Sequence, residues 1–105
     1  MSLREDLVKR FTIKDPDLIE RVRSLPCQAC GRHPAGDAHH IKTKGAGGQD
    51  VPSNLMPLCR THHHDLHSMG LTRMSITYKG VKVFLEQHGW TFDSFMERWQ
   101  RNKFE

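Results

Sequence analysis

A chain of 105 residues, 36% apolar and 27% charged, has the length of one domain with a small core, which a metal commonly supplements. No stretch approaches a membrane span. The three cysteines are an odd number and no signal-like apolar run opens the chain, which argues against a disulfide framework and points to a reducing, cytoplasmic setting. The formal charge of +4 favours a polyanionic partner, of which nucleic acid is the usual one.

Taken in chain order, Leu3, Leu7, Val8 and Phe11 fall on one helical face, with Ser2 and Glu5 spaced as a capping box. A second helix is better marked: Asp15 suits the N-cap, Pro16 the first helical position, Leu18, Val22 and Leu25 make an apolar stripe, and Pro26 ends it. These elements place N-terminal helices at about 3–25. Between Cys27 and Pro57 there is no helical period. Seven glycines and prolines divide that stretch into a knuckle, a strand at 38–42, a loop, and a strand at 55–58. A helix follows from Arg60 to about Ser68, with Gly70 as its stop. Residues from about Ser75 to His88 read as a helix carrying Ile76, Val81, Phe84 and Leu85. A last helix from about Asp93 sets Phe92, Phe95, Met96 and Trp99 on one stripe, so C-terminal helices are expected over 75–104. Trp90 and Trp99 are expected to fill the core.

The chemistry concentrates between Cys27 and His67, which hold all three cysteines and seven of the eight histidines. Cys27 and Cys30 form a knuckle with Gly31 beneath it. Cys59 and His62 repeat the two-residue interval later, and four such donors describe a closed structural zinc site. His33, His63 and His64 are the alternatives to His62 as fourth ligand. Three buried apolar cysteines, or a redox pair, are the competing readings, but a second knuckle and the lack of a thioredoxin-like strand–helix pattern speak against both.

A second set lies within the first. His63 and His67 are four apart on one helical face, and His39 completes three imidazoles around one ion with coordination left open. His39 and His40 are consecutive on a strand and point to opposite faces, which leaves His40 as a base beside the ion.

The run Asp37, Ala38, His39, His40, Ile41, then Asn54 to Cys59, then His62 to His67, resembles the HNH endonuclease motif over roughly residues 27–68. The resemblance implies an α+β fold of the ββα-metal (His-Me finger) type: a two-stranded antiparallel ribbon and a helix around one divalent ion, stapled by structural zinc and flanked by N- and C-terminal helices. It makes His39 and His63 metal ligands, His40 the general base, and Asn54 the residue that ties loop to ribbon through backbone hydrogen bonds. His67 matches the third imidazole of colicin-type DNases. The flanking CxxC and CxxH are similar to the zinc-stapled phage and bacterial branch.

By this resemblance the chain is a single HNH domain, 1–105, hydrolysing DNA to 5′-phosphate and 3′-hydroxyl ends. DNA is bound mainly through its phosphates, and the monomer and the homodimer both stay open. Many HNH enzymes carry Asp where this chain has His39, and an all-imidazole set suits Mn²⁺, Ni²⁺, Co²⁺ or Zn²⁺ better than Mg²⁺. Lys42 and Lys44 in the glycine-rich loop and Arg60 at the helix start are candidate phosphate contacts. A non-catalytic zinc module that binds nucleic acid or protein, and a metal-dependent RNase, are the alternative readings.

Overall fold

The computed structural model describes residues 13–101, apart from the side chain of Lys44. The expected helix through Leu3 and Phe11 lies outside the described residues. Helix α1 spans Pro16–Arg23 with Asp15 as its cap, the Asp15 carboxylate accepting the Leu18 N–H at 3.0 Å. Strand β1, Asp37–His40, pairs antiparallel with β2, Leu55–Leu58, in the register Asp37 to Leu58 and His40 to Leu55. Two 3₁₀ turns, Lys44–Ala46 and Pro52–Asn54, shape the connection between them.

Helix α2, Arg60–Met69, leaves β2 directly and ends at Gly70, whose φ of 85° a side chain would resist. Helices α3, Leu71–Thr77, and α4, Lys79–Gln87, follow. A second antiparallel hairpin, β3 Trp90–Asp93 and β4 Arg98–Arg101, closes the described chain. The protein is therefore α+β, with two antiparallel hairpins among helices.

The first ribbon touches both α1 and α2. Every residue of β2 is buried, and its run Leu, Met, Pro, Leu needs no polar alternation. Met56 and Leu58 join Leu66, Met74, Val81, Leu85 and Trp90 in one cluster that includes Cys27 and Cys59. The zinc-type knuckle is sewn to the ribbon, because Gln28 N–H donates to the Pro57 carbonyl at 3.0 Å.

Two expectations are corrected. The single helix over 75–88 is two helices, broken at Tyr78, whose backbone is extended (φ −118°, ψ 108°). The break brings Gly80 so close to the knuckle that a Cβ there would collide with the Gln28 carbonyl. Ile76, assigned to the apolar stripe, is 79% exposed.

The second correction is that the helix expected from Asp93 is a hairpin. Gly89 (φ 84°) stops α4, and Asp93 takes the Phe95 and Met96 N–H groups into a turn at 2.9 and 3.2 Å. Two indoles then pin the strands: Trp90 Nε1 donates to the Ser53 carbonyl at 2.7 Å and Trp99 Nε1 to Ser75 Oγ at 2.8 Å. Burial of Trp90 and partial burial of Trp99 match their expected core role, whereas Phe95 at the turn is 92% exposed. No described helix is long and apolar enough to cross a membrane.

Candidate metal centres

Cys27 and Cys30 sit on a tight knuckle. Gly31 N–H donates to the Cys27 carbonyl at 2.8 Å, and Gly31 has φ 78°. Cys59 caps α2 and His62 occupies its first turn, so the second donor pair is set by helical geometry alone. The four donor atoms lie within 4.8 Å of one another and form a set able to hold a metal ion such as zinc. Cys30 and Cys59 sulfurs are 3.9 Å apart, close to the ~3.8 Å edge of a tetrahedron with Zn–S bonds of about 2.3 Å. The Cys59 sulfur to His62 Nδ1 distance is 3.2 Å, and the Tyr78 ring stands edge-on to His62 at 4.9 Å, steadying it.

No cysteine is in a disulfide. Burial pushes the Cys27 thiol up, but backbone amides at Cys59, Cys30 and Ala29 outweigh it and hold the thiol below its ordinary 9.0. Of the four candidates for the fourth donor, it is His62 that joins the cysteines.

His39, on β1, faces α2 and meets His63 and His67 on one face of that helix. Their three donor nitrogens also lie within 4.8 Å of one another. His39 Nδ1 is 3.2 Å from His63 Nε2, near the ~3.4 Å edge expected of two imidazoles on one ion at about 2.1 Å. Burial, then the neighbouring His63, His67 and His40, drive His39 down to about 4, which keeps it neutral and able to ligate at neutral pH.

Asp37 Oδ2 accepts from His63 Nδ1 at 3.1 Å. A carboxylate only accepts, so the proton is on Nδ1 and the Nε2 lone pair faces the cluster. Burial would raise the Asp37 carboxyl, but the hydrogen bonds from His63 and Arg60 prevail and lower it.

His40 points elsewhere. Its Nε2 lies 2.7 Å from Asp50 Oδ1, while Asp50 Oδ2 accepts the Asp15 N–H at 2.9 Å. Asn54, 5% exposed, binds the loop on both sides: Oδ1 accepts the Lys42 N–H at 2.7 Å, and Nδ2 donates to the Lys42 and Gln49 carbonyls at 3.0 Å each. Gly48 allows the loop to close, since a Cβ there would run into the Lys42 carbonyl.

The candidate phosphate contacts do not converge. Arg60 forks onto Asp37 at 3.1 and 3.3 Å and, with His63, His67 and Arg23, lines an open cavity of about 500 Å³. Lys42 lines a different groove of about 630 Å³, opposite Arg98, Trp99 and Arg101. Lys44 is placed by its backbone only.

Asp37 and Asp50 were missed as site residues. Asp37 was findable, being two residues before His39 on the same strand face. Asp50 sits ten residues from His40 across a loop, and no local spacing marks it.

The family described as "Protein of unknown function (DUF968)" matches residues 7–73. Over 50 residues the chain is 42% identical to a protein of Escherichia coli (strain K12) named "Uncharacterized protein YdfU". That alignment covers 45% of this chain and 14% of the relative, so the chain spans only a small part of the relative's length. No solved structure matches.

Proposed function

The chain belongs to the DUF968 family, and we propose that it is a metal-dependent HNH endonuclease hydrolysing DNA phosphodiester bonds. One observation carries the reading: three imidazoles from β1 and α2 share a point in space while a fourth, His40, stands on the next strand residue outside that cluster. The order β1, loop, β2, α2 supports assigning this core as a ββα-metal finger, and the resemblance of the motif residues supports the family. A zinc ion on Cys27, Cys30, Cys59 and His62 fits a stapling role at the base of the ribbon.

A divalent cation held by His39, His63 and His67 would supply Lewis-acid charge to the phosphate and the leaving oxygen. His40 takes a proton from water. The water oxygen then forms its bond to phosphorus, the bond to the 3′-oxygen breaks, and that electron pair leaves with the 3′-oxygen to be protonated. The products are 5′-phosphate and 3′-hydroxyl ends. The open cavity before His63 and His67 has Arg23 and Arg60 in its lining, which supports the approach of a phosphate on that side. The net charge of +4 favours such a polyanion.

The test is incubation of the zinc-loaded chain with supercoiled plasmid across Mg²⁺, Mn²⁺, Co²⁺, Ni²⁺ and Zn²⁺, beside His40→Ala. Relaxed or linear plasmid with the wild type, and a loss of at least 100-fold in the variant, is the expected result. No cleavage with any ion would instead favour a non-catalytic zinc module that binds nucleic acid or protein.

A further inference from the structure

We propose that Asp50 is the positioning residue for His40, fixing the ring so that Nδ1 alone presents a lone pair to water. This rests on the endonuclease reading for its catalytic consequence but not for its structural one.

Asp50 is 3% exposed, and a carboxylate buried so fully must have its oxygens satisfied. Two of its contacts fall on different oxygens. Oδ2 takes the Asp15 N–H at 2.9 Å, and Oδ1 takes the His40 Nε2 proton at 2.7 Å, a length typical of a charge-assisted bond. The Asp50 N–H itself donates to the Ile13 carbonyl at 3.0 Å. The segment that leads into α1 therefore holds Asp50 both at its backbone N–H and at its far oxygen.

The consequence for His40 is a defined tautomer. With the proton on Nε2, the neutral ring has its lone pair on Nδ1. When Nδ1 takes a proton from water the ring becomes an imidazolium, and the fixed carboxylate opposes that charge at the far nitrogen. The metal-site histidines and the base thus meet different carboxylates: His63 Nδ1 meets Asp37, and His40 Nε2 meets Asp50.

The experiment uses the zinc-loaded full chain as wild type, Asp50→Asn and Asp50→Ala. Long-range ¹H–¹⁵N spectra report which nitrogen of His40 carries the proton, and plasmid cleavage with the best ion gives kcat and KM. The Nε2–H form is expected in the wild type and a mixture of tautomers in both variants. The expected fall in kcat is about 100-fold or more, with KM and metal affinity within twofold. Asp50→Asn preserves volume should the alanine variant fold poorly. A wild-type ring protonated on Nδ1, or variants with unchanged tautomer, overturns the proposal. Variants whose loss lies wholly in KM do the same, because that is the mark of a loop pin. A wild type that cuts with no ion removes the nuclease reading, and the spectra then decide on their own whether Asp50 orients the ring.

Discussion

Asn54→Ala tests the loop closure most directly. The side chain makes three hydrogen bonds, to the Lys42 N–H, the Lys42 carbonyl and the Gln49 carbonyl. At roughly 1 kcal/mol net each, their removal costs about 3 kcal/mol. Against a typical stability of about 5–15 kcal/mol this is a large share, and the midpoint of thermal unfolding should drop by roughly 12–24 °C. The alanine leaves backbone groups of the loop without partners in a place where Asn54 was 5% exposed. Urea unfolding of the zinc-loaded wild type and variant gives the free-energy difference. Hydrogen exchange at the Lys42 amide, bonded to Asn54 Oδ1 at 2.7 Å, gives its local origin. A loss under about 1 kcal/mol with the Lys42 amide still protected would refute the reasoning that these bonds hold the loop.

Three further outcomes are expected. The purified chain should carry one zinc per molecule at Cys27, Cys30, Cys59 and His62, and Cys59→Ser should lose both the ion and cooperative unfolding; metal analysis with circular dichroism checks this, and a stoichiometrically zinc-loaded variant would contradict it. Gly80→Ala should destabilise despite alanine's better helix propensity, because its Cβ meets the Gln28 carbonyl; a rise in midpoint temperature would disprove the contact. His39 is held down to about 4 in the fold against an ordinary 6.5. The unfolded chain thus binds the proton more readily, and the stability present above 6.5 is lost as pH falls towards 4. The wild type should lose about 3 kcal/mol more than His39→Ala over that interval, and parallel curves in urea titrations would count against it.

Elements whose signals are local were legible along the chain. Asp15 and Pro16 mark the start of α1, the run Leu55 to Leu58 marks β2, and Gly70 ends α2. Each rests on φ preference, capping or burial that acts within a few residues. The donor pairs were legible for the same reason: CxxC, CxxH and a four-residue histidine interval each fix two donors within one turn or one knuckle.

Contacts that depend on how separated elements close were not legible. The partner of His40 is a carboxylate across the loop, Arg60 answers Asp37 from another element, and the interval after Gly89 suits a helical stripe as well as a strand pair. There the hairpin is tied down by the indoles of Trp90 and Trp99, which donate to the Ser53 carbonyl and Ser75 Oγ on distant elements. Periodicity limits which side chains share a face. Which faces meet, and which buried polar atoms satisfy one another, follows from the packing of the whole chain.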